Sequence, residues 1–229
     1  MLKKHDNLIQ SPGSTIYFAG DLFDHKHLLG NMVLADYIER LSQNRYQCFV
    51  PQDIEQPTNR GVDIRNVDLM SVMACDFGIF NFDGPDLDSG TVVEFMMAKF
   101  MDIPAVILRS DFRAAGDSDR GDWNLMVDNY PRTEVVAPHA LLLYKKAKTE
   151  TDNVQEIIET LYTRMATSII EALDKVSKTS PLANNVPNQT EAIYKWGMQF
   201  PGSGFATLCA AEPDFIESLL ARKRRKGLL

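Results

Sequence analysis

The sequence predicts a doubly wound, Rossmann/flavodoxin-like α/β fold: a five-stranded, mostly parallel sheet with helices on both faces, plus a helical C-terminal extension. Three observations predict it. Short apolar, β-rich runs recur through the first two thirds of the chain. Stretches with helical periodicity separate them, and each run ends in polar residues rich in Gly, Asp or Ser. Short strands alternating with helices are βαβ units, whose parallel strands are covered on both faces.

Each element follows in order. Thr15-Ile16-Tyr17-Phe18-Ala19-Gly20 is a β-rich run closed by glycine, and Leu28 to Leu41 reads as an amphipathic helix. Tyr46 to Pro51 is the second strand, and Val62 to Cys75 is a helix with Ile64, Val67 and Met70 inward. Phe77 to Phe82 is the third strand. The next helix opens at Asp88 or Ser89, either a natural N-cap, with Gly90 easing the turn into it. Pro104 to Arg109 is the fourth strand, and the fifth falls in Glu134-Val135-Val136 or in Leu141-Leu142-Leu143-Tyr144. Between them, Ser110 to Asp122 is charged and glycine-bearing and reads as a mobile loop.

Two parts are expected, an α/β domain over 1–148 and a helical extension over 149–229. Thr151 to Val176 carries Val154, Ile157, Ile158, Leu161, Met165, Ile169, Ile170 and Leu173 at helical spacing, an apolar stripe that must be buried. A Pro- and Asn-bearing linker, Ser180 to Asn188, precedes a last helix from about Pro213 to Lys226. Its end, Arg222-Lys223-Arg224-Arg225-Lys226, reads as a solvated helix terminus favoured by the macrodipole, with an anionic partner as the alternative.

Composition narrows the function. The 229 residues are 45% hydrophobic and 24% charged, as in ordinary folded domains. A net charge of −7 speaks against a nucleic-acid binder. No apolar run reaches the roughly 20 residues of a membrane span, and the polar start Met1-Leu2-Lys3-Lys4-His5-Asp6 is not a signal peptide. Cys48, Cys75 and Cys209 are widely spaced and suit a reducing cytoplasm. His25-x-His27 has no third ligand at a recognised spacing, so no metal is expected.

In such a sheet, ligands bind beyond the carboxyl ends of the strands. The residues there are polar: Gly20-Asp21-Leu22-Phe23, Gln52-Asp53, Asp83 to Asp88, and Ser110-Asp111-Phe112-Arg113. No GxGxxG or GxxxxGK[ST] pattern follows the first strand, so the usual nucleotide phosphate cradles are missing. An acid-rich mouth suits a neutral, hydroxyl-rich ligand such as a sugar, with a flat group against Phe18 and Phe23. Asp83, Asp86 and Asp111 read as turn and cap residues. Glu94 stands in the apolar company of Val92, Val93, Phe95 and Met97, with Asp88 six residues upstream and able to face the same pocket. A carboxylate so placed is partly desolvated, while the amides at the helix start favour its charged form. The plain alternative is a solvent-facing glutamate.

Ile16 to Gly20, Pro51-Gln52, Asp63-Ile64-Arg65-Asn66-Val67-Asp68, Ala74-Cys75-Asp76, Asp88-x-Gly90-Thr91-x-x-Glu94 and Asn124-Leu125-Met126 come in an order that resembles the nucleoside 2-deoxyribosyltransferases. The resemblance runs from Thr15 to about Tyr144. It implies that Glu94 is the nucleophile forming a covalent deoxyribosyl ester, that Asp88 binds the sugar hydroxyls, and that Tyr17 holds Glu94. It implies that Asp68 bonds the base and shares in protonating the leaving nitrogen, and that Gln52 touches the base. Gly20, Phe23 and Gly90 join the substrate site, and Asn124 and Met126 enter from a neighbouring subunit of a dimer or hexamer. 2′-Deoxyribonucleosides and free bases are the implied partners, without a cofactor.

The residue types suit that chemistry. Breaking an N-glycosidic bond builds positive charge at C1′, which a carboxylate below the ring both attacks and stabilises. A second acid improves the leaving base. Two other readings stay open: an N-glycoside hydrolase acting on a nucleoside or its 5′-monophosphate, and a non-catalytic nucleoside-binding module. Tyr17 stays open too, between holding Glu94 and plain core packing.

Overall fold

A computed structural model describes residues 13–54, 60–113, 124–186 and 188–229. β1 (Ser14–Gly20), α1 (His25–Leu41), β2 (Tyr46–Phe49), α2 (Gly61–Ala74), β3 (Phe77–Asn81), α3 (Ser89–Phe100), β4 (Ala105–Leu108) and β5 (Thr133–Val136) follow one another along the chain. The sheet order is β2-β1-β3-β4-β5, and every pairing is parallel. The chain winds outward in both directions from the β1–β3 pair, so the crevice at their carboxyl ends is the topological switch point.

Strand residues alternate between two cores, as the two-residue period of a strand requires. Tyr17, Ala19, Phe80 and Ile107 point to the face covered by α2 and α3. Ile16, Phe18, Ile79, Val106 and Leu108 point to the other, covered by α1 and by α5 (Val154–Val176). α5 buries Ile157, Met165, Ile169, Ile170 and Leu173 of its stripe, while Val154 stays exposed. Before it lies α4 (Ala140–Glu150), which takes up Leu141 to Tyr144. That run is therefore helix, and the fifth strand is Thr133–Val136. Periodicity alone cannot separate a four-residue apolar run in a strand from one on a helix.

After a short 3₁₀ turn at Leu182–Asn185, α6 (Thr190–Gln199), α7 (Phe205–Ala210) and α8 (Phe215–Arg225) add Tyr194, Phe205, Phe215, Ile216, Leu219 and Leu220 to the core over α2 and α3. α1 begins three residues earlier than its apolar pattern suggests, because the Asp24 side chain accepts from the Lys26 and His27 amides as N-cap. The expected mobile loop falls mostly on residues 114–123, outside the described residues.

The basic C-terminus corrects the sequence reading. Arg222 and Lys223 are not solvated; they are 2% and 1% exposed. Arg222 donates to the Ala74 carbonyl and Lys223 to the Cys75 carbonyl, at the end of α2 where carbonyls lack helical partners. Arg222 and Lys226 also meet the buried Asp76 carboxylate at 3.2 and 2.8 Å, and Asp76 accepts from the Thr15 amide at 3.0 Å. The cations do favour a helix C-terminus as the macrodipole demands, but the helix is α2 as well as their own. Among the described residues, no helix is long and apolar enough to cross a membrane.

Candidate active site

α3 starts where the sequence predicts. Asp88 is the N-cap, its Oδ2 accepting from the Thr91 amide at 2.7 Å and from the Thr91 hydroxyl at 2.9 Å. Glu94 follows one turn later, at the inner side of the helix, and Tyr17 reaches it from β1. The Tyr17 hydroxyl donates to Glu94 Oε1 at 2.6 Å. Tyr17 itself is fully buried, between packing and hydrogen bonding at once.

Glu94 lines a cavity of about 400 Å³ between α2 and α3. Asp68, Arg65 and Ile64 come from α2, and Ser89, Gly90 and Val93 from α3. Arg65 and Asp68 share a wall because residues three apart lie on one helix face. Burial pushes the Glu94 carboxyl up to about 8; the Tyr17 bond pulls the other way, and the charges of Asp68 and Asp88 add to the rise. The expectation that helix-start amides favour its charged form is thus outweighed by desolvation. Tyr17 is raised well above the usual phenol range, first by burial and then by Glu94 and Asp68.

The other residues singled out from the sequence are spread around this cavity. Asp88 acts on Glu94 through its charge but is not in the lining, with one oxygen committed to the cap. Gly20 closes β1 against β3, where an added Cβ would come within 3.1 Å of the Asn81 Cβ. A Cβ at Gly90 would meet Asp88 Oδ2 at 3.1 Å, so a bare backbone lets the cap form. Gln52 donates to the Leu28 carbonyl at 2.8 Å, and Phe23 is 79% exposed. Neither lines the cavity. Phe18 corrects the sequence reading: it is fully buried in the core on the opposite face of the sheet and can meet no ligand. Asn124 accepts from the Met126 amide at 2.9 Å in a local turn, and Met126 is exposed. Within one chain, neither borders the Glu94 cavity.

The mouth is held by the acids read as turn residues. Asp83 accepts from the Ser110 hydroxyl at 2.7 Å and the Asp111 amide at 2.8 Å, tying the loop after β3 to that after β4. Asp111 pairs with Arg113. Among the described residues, no group of three or more His, Cys, Asp or Glu side chains is placed to hold a metal ion. A larger cavity, about 700 Å³, lies among α6, α7 and α8 around Trp196, Met198 and Phe215, and shares no lining residue with the first.

Arg65 and Ser89 were not singled out from the sequence as site residues. For Arg65 the signal was present: it stands three residues before Asp68, hence on the same helix face. Ser89 was visible only as a second candidate for the cap.

A family model described as nucleoside 2-deoxyribosyltransferase matches residues 16–134. A search of curated proteins found no match. Among solved structures, a conserved protein from Enterococcus faecalis V583 is 25% identical, with a TM-score of 0.47, covering 61% of this chain and 99% of its own. A 2-desoxiribosyltransferase from Leishmania mexicana is 21% identical, with a TM-score of 0.41, covering 51% of this chain and 86% of its own.

Proposed function

Because the chain belongs to the nucleoside 2-deoxyribosyltransferase family, we propose that it exchanges the base on 2′-deoxyribonucleosides through a covalent ester on Glu94. The observation that carries this reading is the Glu94 carboxylate, bonded by Tyr17 and sharing a cavity with Asp68. At about 400 Å³, that cavity falls in the range of roughly 300–1,000 Å³ common for small-molecule sites.

In the first half-reaction, a Glu94 oxygen bonds to C1′ as the C1′–N bond breaks, and the electron pair leaves with the base. Asp68 is the acid that shares in protonating the departing ring nitrogen. The sugar lacks a 2′-hydroxyl, so its developing cation is less destabilised and the ester forms readily. A second base then attacks C1′ from the face the first one left, its ring N–H proton passing back to Asp68, and Glu94 departs as carboxylate. Two inversions give net retention. Tyr17 steadies Glu94 throughout, and Asp88 aligns the sugar hydroxyls. Gln52 touches the base from outside the cavity lining, Gly20, Phe23 and Gly90 join the substrate site, and no cofactor takes part.

We assign this chemistry to residues 1–148 and a supporting role to 149–229, in a cytoplasmic enzyme of nucleoside salvage. The half-buried Asn124 and the exposed Met126, both outside the Glu94 cavity of their own chain, suit a homo-oligomer, dimer or hexamer, in which each subunit completes its neighbour's site. Arg65 and Ser89 in the cavity wall favour one second reading, hydrolysis of a nucleoside 5′-monophosphate. Incubation with each deoxynucleoside and each free base, followed by chromatography, separates the two. New nucleosides formed only with an acceptor base support transfer. Free sugar or sugar phosphate formed equally without one overturns it.

A further inference from the structure

Helix α2, which carries Asp68, is held at both ends by the C-terminal extension. At its start, Arg60 offers no side-chain cap. One turn on, Asn66 is buried and donates to the Ser203 carbonyl at 3.0 Å, while Arg65 donates to the Pro201 carbonyl at 3.1 Å and to the Asn66 side chain at 2.7 Å. At its far end, Arg222 and Lys223 donate to the Ala74 and Cys75 carbonyls. Residues on a helix turn by about 100° each, so Asn66 and Asp68 face roughly opposite sides. The bond to Ser203 therefore fixes the rotation that aims Asp68 into the cavity, and the two cations stop α2 from sliding along its axis.

Resting on the transferase reading of Glu94, we propose that the Pro201–Ser203 loop and the Arg222–Lys223 pair clamp α2 so that Asp68 stays against Glu94. Asn66 and Arg65 are positioning residues for the reaction. The extension is then part of the machinery of the site, although none of its residues lines the cavity. Loosening the clamp moves Asp68 away from Glu94. Because the Asp68 charge raises the Glu94 carboxyl, that movement lowers the pH at which Glu94 ionises.

The test is a double-mutant cycle on the full chain. Asn66→Leu should lower kcat/KM on the order of tenfold, as expected for residues in one network, and move the acidic limb of the pH profile downward. In an Asp68→Asn background it should change the rate less than about twofold and leave the limb in place. An equal loss in both backgrounds, or an unmoved limb in Asn66→Leu, overturns the proposal. Asn66→Ala, at a position outside the cavity lining, repeats the cycle if the Leu variant does not fold. Carbon NMR of ¹³C-labelled glutamate reads the Glu94 titration directly. A shifted titration without base exchange in the wild type sustains the clamp and sinks only the transferase reading.

Discussion

The Tyr17 hydroxyl and the Glu94 carboxylate are 77 positions apart in the chain and 2.6 Å apart in space. β1 brings one to the switch point from the centre of the sheet, and the second turn of α3 brings the other. Their bond opposes burial and the neighbouring Asp68 and Asp88 charges, which together set Glu94 near pH 8. An acid so poised is sensitive to each neighbour separately.

The pH profile should show it. As a nucleophile Glu94 acts in its charged form, so kcat/KM should rise with pH and level off above about 8. Tyr17→Phe removes a hydrogen bond that lowers the Glu94 carboxyl, and should move the limb to higher pH. Asp68→Asn removes a charge that raises it, and should move the limb to lower pH, alongside any loss in proton transfer. Shifts of the same sign in both variants would contradict this balance.

Stability should change with pH in a definite direction. Glu94 holds its proton more tightly folded than unfolded, where it titrates near 4.5. Between those two values the unfolded chain loses the proton first, so stability falls as pH rises from about 4.5 to about 8. Glu94→Gln removes that dependence. Its melting temperature should exceed the wild type's at pH 8 by on the order of 10 °C and by much less at pH 5, since about 4 kcal/mol is lost by pH 8 at about 2–4 °C per kcal/mol. A gap that is the same at both pH values counts against a desolvated Glu94.

The buried tail carries the converse sign. Burial alone would raise the Asp76 carboxyl, but Lys223 and Arg222, with the bonds from Lys226 and Thr15, hold it below the usual range. Its contribution is present above the unfolded carboxylate range near pH 4 and is lost as pH falls through the folded value. Arg222→Met leaves Asp76 and the Ala74 carbonyl short of a partner. Breaking a buried pair costs about 3–5 kcal/mol, on the order of 10 °C in melting temperature. A thermal melt at pH 7 within about 2 °C of the wild type would return Arg222 to the surface role its sequence context suggested.

That surface role shows where the sequence stopped being legible. The βαβ order, the Asp88 cap and Glu94 one turn later could all be read because each rests on local periodicity or spacing. Arg222-Lys223-Arg224-Arg225-Lys226 has the pattern of a solvated helix end; Arg224 and Arg225 are exposed as that pattern predicts, and only the partners Ala74, Cys75 and Asp76, some 150 residues upstream, make Arg222 and Lys223 a buried cap, with Lys226 half-buried beside them. Phe18 and Tyr17 are adjacent aromatics on one strand, and β1 sends them to opposite faces. The ordinary strand period implied that split for any ligand meant to touch Phe18 beside a site at Tyr17. The Asn66–Ser203 bond had no sequence signal, since an asparagine on a helix reads equally well as solvated.

Shared sites can be tested by mixing. Asn124 and Met126 stand outside the Glu94 cavity of their own chain. Glu94→Ala and Asn124→Ala chains, each inactive alone, should recover partial activity when their subunits exchange. Mixed oligomers then contain sites with one intact Glu94 and one intact Asn124. Exchange demonstrated by mass spectrometry with no recovery of activity would place Asn124 in its own subunit's site or in none.

The decisive prediction concerns Glu94 as the point of attachment. Glu94→Gln keeps the shape and the capacity to accept from Tyr17 but loses the charge that attacks C1′. The rate should fall on the order of a thousandfold or more, while nucleoside binding survives. Asp88→Asn should spare the chemistry more and sugar binding less, because an asparagine oxygen still caps α3. A 2′-fluoroarabinosyl nucleoside should trap the ester, since fluorine destabilises the positive charge needed both to form and to break it, and the good leaving base helps formation alone. Peptide mass spectrometry should then find the adduct on the segment holding Glu94. An adduct on the peptide holding Asp68, or near-normal turnover by Glu94→Gln, would move the nucleophile to the other carboxylate of the cavity and leave Glu94 as the acid, a role its raised pKa already permits.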